Sequence, residues 1–317
     1  MLNVSNEETK KQKIKTNPIR TYADKIADKN HINKTNEIII DNEQTNIPNN
    51  LPTAVIGDKG SGKSTFLKSL IELTYNNNIF KHIYFVYSSL SWDDDLPPYV
   101  IKIDVNKCEE FLSMLFEIKT IFISYYKFFK SLDFKELQEL RDKNKLTEND
   151  FLKHIDNNIS RYNNEIINSG INPEEKIDRI IDTGTHIIEK FSKPFYIGSV
   201  KIDGLNIYDL DGLFIDDIAI ASKVLFKRLK DNQIYEYFTL TRHMRLFICF
   251  AGQQIEQIPK MLRREIMCWI ISKNTNLELL EGVLQKSTIR KIEQEQEKLI
   301  KYQFVIYNTV NGVLSIC

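Results

Sequence analysis

Thr53-Ala54-Val55-Ile56-Gly57-Asp58-Lys59-Gly60-Ser61-Gly62-Lys63-Ser64-Thr65-Phe66-Leu67 is the stretch that decides the fold. Its first four residues form a short, mostly apolar run that stops at Gly57 and reads as a buried strand. From Ser64 to Tyr75, Phe66, Leu67, Leu70, Ile71 and Leu73 recur at helical spacing. Between them, residues 57 to 64 fit Gly-x-x-x-x-Gly-Lys-Ser at every fixed position. The order is therefore strand, glycine-rich loop, helix.

That order has a chemical meaning. Glycines let the backbone turn tightly and aim its N–H groups inward as a nest for an anion. The helix that follows adds the positive end of its dipole. The spacing predicts that Gly57, Asp58, Lys59, Gly60, Ser61, Gly62, Lys63, Ser64 and Thr65 cradle a triphosphate. Lys63 would reach the β- and γ-phosphates, Ser64 would ligate Mg2+, and Thr65 would meet the α-phosphate. ATP and magnesium are the cofactors this implies.

Working outward, Ile83 to Tyr87, Val100 to Val105, Leu213 to Ile215, Leu246 to Ala251 and Cys268 to Ser272 read as further strands. Helical periodicity covers Glu109 to Phe129, roughly Ile220 to Leu229, and Leu277 to Ile300. Tyr302 to Val313 reads as a hairpin around Asn311-Gly312. Buried strands alternating with helices predict an α/β fold with a mostly parallel sheet covered on both faces. Residues 1–50 are polar and read as a flexible arm with one short strand near Ile38-Ile39-Ile40. Residues 51–129 and 201–275 form the two parts of the core. Residues 130–200 read as a mainly helical insertion, and 276–317 as a C-terminal helix and hairpin.

Hydrolysis of a bound triphosphate needs a carboxylate for the magnesium shell and a group to orient or deprotonate the attacking water. Leu213-Phe214-Ile215-Asp216-Asp217 offers both, with Asp216 for the metal and Asp217 for the water. Asp209 and Asp211 lie at the wrong end of the same strand. Gln253, after the strand ending at Ala251, is a polar amide placed to sense the γ-phosphate. Arg242, and as alternatives Arg263 and Arg264, are candidates for an arginine supplied to a neighbouring subunit.

Bulk properties set the bounds. The 317 residues carry 43 basic and 43 acidic side chains and have no net charge, which argues against a histone-like protein. A DNA partner needs only a local basic patch, so it stays open. None of the four cysteines lies in a Cys-x-x-Cys pair, so zinc-ribbon spacing is absent and a reducing compartment is expected. No leader segment is visible, and no apolar run is long enough to span a membrane.

The combined pattern resembles the FtsK/HerA superfamily of ATPases, and within it the poxvirus-type DNA-packaging ATPases of large DNA viruses. The residues that carry this are the loop at 57–65, Gly212-Leu213-Phe214-Ile215-Asp216-Asp217, and Arg242-His243-Met244-Arg245. Gln253-Gln254-Ile255-Glu256-Gln257-Ile258-Pro259 running into Leu262-Arg263-Arg264 completes it. The resemblance covers roughly residues 50 to 275. Many members carry Asp-Glu where this chain has Asp216-Asp217; the viral branch resembles the Asp-Asp form. The distance from Lys63 to Asp216 exceeds what a minimal core needs, so the insertion is an elaboration.

The resemblance implies a RecA-like core, a homo-oligomeric ring, probable in that family as a hexamer, and ATP-driven translocation of double-stranded DNA. In the viral branch that movement packages the genome, with capsid proteins as partners. The site of action would be the host-cell cytoplasm or virus factory, and the virion. The competing readings are a P-loop nucleotide kinase and a HerA-like helicase. The insertion holds only Arg141, Arg161 and Arg179, widely spaced, which is thin for a kinase lid. Guanine-reading Asn-Lys-x-Asp is absent, since Asn274 follows Lys273.

Overall fold

A computed structural model describes residues 37–40, 45–48, 52–87, 96–131, 152–225, 238, 240, 241 and 243–317. Twelve strands are described. β1 (Glu37–Ile40) and β2 (Thr45–Pro48) form a hairpin. β3 (Thr53–Ile56), β4 (Ile83–Tyr87), β5 (Val100–Asp104), β8 (Asp211–Ile215), β9 (Leu246–Gly252) and β10 (Cys268–Ser272) lie parallel in one sheet. β11 (Phe304–Asn308) and β12 (Leu314–Ile316) extend that sheet antiparallel, giving the order β12-β11-β10-β3-β9-β8-β4-β5. β6 (Phe195–Ile197) and β7 (Val200–Ile202) make a separate hairpin. The fold is an α/β, RecA-like P-loop core.

The helices are α1 (Lys63–Asn76), α2 (Cys108–Ser131), α3 (Asn157–Tyr162), α4 (Asn164–Asn168), α5 (Pro173–Phe191), α6 (Ile218–Leu225), α7 (Lys260–Arg263) and α8 (Lys286–Lys298). Alternation along each strand sends successive side chains to opposite faces. Ala54, Ile56, Leu213, Ile215, Ile248 and Phe250 join Leu112, Leu115 and Phe116 of α2 and Ile218 and Ala221 of α6. Val55, Phe214, Phe247, Cys249 and Ile270 join Leu67, Leu70 and Ile71 of α1 on the other face. Both faces are thus buried, as a parallel sheet requires.

Ile47 of β2 is fully buried in that second cluster, so the end of the N-terminal region packs on the core. Residues 1–36 lie outside the described residues, as does most of the first part of the insertion. Of what is described there, α3 and α5 pack on α2, and α4 packs on α3 and α5. Tyr125 of α2 accepts a hydrogen bond from the Asn163 amide. α5 is the best formed of these helices. Asn172 caps it through Glu175 N, and Pro173 sits at its first position, where a missing N–H costs nothing.

The helix expected from Leu277 to Ile300 is shorter. A 3-10 turn at Glu278–Leu280 buries Leu277 and Leu280, and the regular helix starts only at Lys286. Gly282 is a poor helix former, and the turn closes through Leu284 N to Leu280 O instead. The hairpin after it forms, with Gly312 at a positive φ of 69°.

One polar cluster is buried at the amino ends of the strands. Asp211 is 1% exposed and accepts from Lys119 Nζ of α2 at 2.6 Å and pairs with His82 Nδ1 at 3.0 Å. Burial pushes the Asp211 carboxyl up, but the Lys119 ammonium and His82 outweigh it and hold it well below the usual carboxylate range. Removing one partner of such a pair leaves an uncompensated buried charge. Asp211→Ala is expected to lower unfolding stability by about 3–5 kcal/mol in urea titration. Because the folded value is depressed, the wild-type contribution is present above the unfolded value of about 3.9 and is lost as pH falls below it. The Asp211→Ala stability curve should therefore lack that acid limb.

Candidate functional site

The carboxyl ends of β3, β9 and β8 meet on one side of the sheet. Ile56 pairs with Gly252, and Ile215 with Phe250. Asp216 and Asp217 follow directly on β8 at that end, as the 57–64 loop follows directly on β3. β9 alone lies between β3 and β8, so those two strand ends are about 10 Å apart.

Gly57 N donates to Gly252 O at 3.2 Å, tying the loop to the end of β9. A Cβ on Gly57 would lie 2.3 Å from Ser272 Oγ and 2.7 Å from Ser61 Oγ, so no larger residue fits without displacing the loop. Gly62 holds φ at 95° as it hands the chain to α1, a conformation open to glycine. The Lys63 ammonium crosses the loop and donates to Gly57 O at 2.5 Å and Asp58 O at 2.9 Å. Burial pulls Lys63 below its usual value, opposed by Asp216, Asp58 and Asp217 in that order. Asp216 is thus the foremost of the carboxylates acting on this ammonium. Ser64 and Thr65 are exposed on the first turn of α1.

Asp217 has φ at 51°, a left-handed conformation that Asp tolerates better than most residues. Its carbonyl accepts from Ile220 N and Ala221 N and so opens α6. The kink turns the chain sharply just where the two carboxylates leave the sheet. Gln253 is exposed at the end of β9, and its N–H donates to Gln257 Oε1 at 2.7 Å. The same oxygen accepts from Gln254 N at 3.3 Å, so Gln257 fixes the turn that presents Gln253.

The arginines divide. Arg263 donates to Ile258 O and Glu256 O, bracing that turn within its own chain. Arg264 is exposed. Arg242 lies outside the described residues. Its neighbours His243 and Arg245 precede Leu246, at the end of β9 away from the loop, about 20 Å along the strand.

Sequence reading missed the support beneath the loop. Ser272 and Thr275 share a hydroxyl hydrogen bond at 3.2 Å, and Thr275 Oγ1 donates to Ile56 O at 3.3 Å. Gln296 of α8 donates to Ser272 O at 2.8 Å. A buried Ser ending an apolar strand was the one available signal; the partners come from segments up to 219 positions away. The donor set of Ser64 hydroxyl and Asp216 carboxylate, hard oxygens beside a phosphate cradle, fits magnesium, which takes few protein ligands and shares the rest with phosphate.

No protein-family model matches the chain, and no curated protein sequence matches it. Solved structures similar to it include the DNA-packaging ATPase B204 of Sulfolobus Turreted Icosahedral Virus, at 11% identity and TM-score 0.43. That comparison covers 84% of this chain and 96% of B204. B204 of Sulfolobus turreted icosahedral virus 2 with ATP-gammaS gives 14% identity and TM-score 0.44, covering 85% and 98% of the two chains. The pCW3 conjugation coupling protein TcpA gives 16% identity and TM-score 0.42, covering 86% of this chain and 62% of TcpA.

The close approach at Gly57 gives a direct test of the cradle. Gly57→Ala should weaken binding of inorganic tripolyphosphate, read by calorimetry, by at least about tenfold. Gly282→Ala, where a Cβ would meet nothing within 4 Å, should leave it unchanged.

Proposed function

We propose that this chain hydrolyses ATP at the 57–65 loop and couples hydrolysis to movement of double-stranded DNA, as a genome-packaging motor. The observation that carries the ATPase reading is the convergence of Lys63, Asp216-Asp217 and Gln253 at the carboxyl ends of three neighbouring parallel strands. Loop N–H groups and Lys63 hold the phosphates. Ser64 and Asp216 would hold magnesium, which would supply charge neutralisation at the phosphates. Asp217 orients a water for in-line attack on the γ-phosphorus and accepts its proton. Gln253 reports the loss of the γ-phosphate to β9.

The DNA cargo rests on the order of motifs, which is similar to that of the packaging ATPases. An arginine from a neighbouring subunit completes the site in a homo-oligomeric ring, with Arg242 or Arg264 as donor, since Arg263 is engaged in its own chain. The insertion, packed on α2, is a docking or DNA-contacting element. No helix among the described residues is long and apolar enough to cross a membrane.

Steady-state ATP hydrolysis with and without linear duplex DNA tests this. Wild-type turnover should rise several-fold with DNA and lose that gain as salt rises. Lys63→Ala should fall by at least about a hundredfold, and Asp217→Asn should keep nucleotide binding while losing turnover to a similar degree. Full activity in both variants sinks the site assignment. Hydrolysis indifferent to DNA sinks the motor and leaves the ATPase.

A further inference from the structure

A cleft of about 500 Å³ opens beside the outer side of α1, within the size range of small-ligand pockets. Gly62 and Thr65 line it, together with Ser69, Phe66, Tyr302 and Phe304. It therefore begins where the phosphate loop ends. A triphosphate lying from Lys63 to Thr65 would direct its sugar and base into this space.

Tyr302 has an unusual backbone. Its φ is 71°, a left-handed conformation that a bulky side chain rarely adopts and that costs free energy to hold. The residue is 60% exposed and its ring lies beside Gly62, where a Cβ would be 3.1 Å from Tyr302 Cδ1. The Lys301 ammonium lies 4.8 Å from its centroid. Phe66 and Phe304 pack together at 5.2 Å between centroids and give the cleft an aromatic wall. An exposed ring held in a strained turn at the mouth of an apolar cleft is suited to stack on a flat, conjugated group.

The polar side-chain groups in the lining are few. They are the Thr65, Ser69 and Tyr302 hydroxyls and the Cys317 thiol. Telling adenine from guanine by side chains needs paired donors and acceptors along the base edge, of the kind amides and carboxylates supply. Among the described residues, the lining holds no Asn, Gln, Asp or Glu. Stacking, by contrast, holds any base, because each has a π-face.

We propose that this cleft is the nucleoside subsite, that the base stacks on Tyr302, and that the site accepts adenine and guanine nucleotides alike. The proposal rests on the phosphate-loop reading above, so the test separates the two. Binding of ADP, GDP, CDP and inorganic tripolyphosphate, each with magnesium, is measured by calorimetry on the full chain, on Tyr302→Phe and on Tyr302→Ala. ADP and GDP should bind within about threefold of each other, with CDP weaker because its smaller ring stacks over less area. Tyr302→Ala should weaken ADP and GDP by about tenfold, within what one stacking ring supplies, and leave tripolyphosphate unchanged. Tyr302→Phe should restore wild-type binding.

GDP weaker than ADP by more than about thirtyfold overturns the tolerance, since stacking alone does not discriminate so far. Equal loss of ADP and tripolyphosphate in Tyr302→Ala overturns the stacking role and makes Tyr302 a brace for Gly62. Wild-type binding of tripolyphosphate with no added affinity for ADP overturns the subsite while the phosphate loop stands. Failure of the wild type to bind tripolyphosphate overturns the loop reading itself.

Discussion

The parallel register of β3, β9 and β8 is the constraint on which the site depends. Parallel strands send all their carboxyl ends to one side, and the pairing of Ile56 with Gly252 and Ile215 with Phe250 sets them nearly level. The phosphate loop, the Gln253 turn and the acidic pair emerge together for that reason. The hydrogen bond from Gly57 N to Gly252 O then locks the first two of these in place. Shifting β9 by one residue would break that bond and turn every side chain of the strand to the wrong face.

The other end of β8 is held differently. Asp211 is buried between Lys119 of α2 and His82, so the strand that ends in Asp216-Asp217 begins at a buried ion pair. A fully apolar strand would pack as well, but it would not fix which residue of β8 faces α2. The pair makes a unique register, because any slip leaves an ammonium or a carboxylate buried alone. α2 also carries α3 and α5 of the insertion, so the described part of the insertion rests on the helix that pins β8.

Much of this was legible in the sequence, and the reasons differ by residue. The phosphate loop and Asp216-Asp217 were readable because each is a short contiguous pattern following a buried strand. The strands of the central sheet were readable from apolar runs, apart from the added Asp211 and Gly212 at the start of β8, where polarity hid pairing with β9; β2 and the β6–β7 hairpin, which begins inside the stretch read as mainly helical, were not. Asp211 lies at the amino end of β8, the opposite end from Asp216-Asp217. Its partners stand 92 and 129 positions away, and no local pattern links them. Ser272, Thr275 and Gln296 are hidden for the same reason. The break at Gly282 was missed because the apolar periodicity of Leu277 and Leu280 is satisfied by a turn as well as by a helix. Tyr302 carried no sequence signal, since its meaning lies in a positive φ and in proximity to Gly62.

The charge balance of the site bears on what else it needs. Within one chain, the Lys63 ammonium faces Asp216, Asp58 and Asp217, and burial already lowers its hold on a proton. The α1 amino end adds about half a positive charge. On the reading proposed above, a triphosphate brings several further negative charges to a place where three carboxylates meet one ammonium. Coulomb repulsion across a few ångströms makes that arrangement unfavourable without more cation. Ser64 and Asp216 would hold magnesium, which would cancel two charges and make Asp216 a ligand instead of a repelling group. The charge that grows on the transferring phosphoryl group still exceeds what Lys63 supplies, and Arg263 is committed to Ile258 O and Glu256 O. On the same proposed reading, a guanidinium supplied by a neighbouring chain would balance it, which would give ring assembly an electrostatic reason as well as a mechanical one.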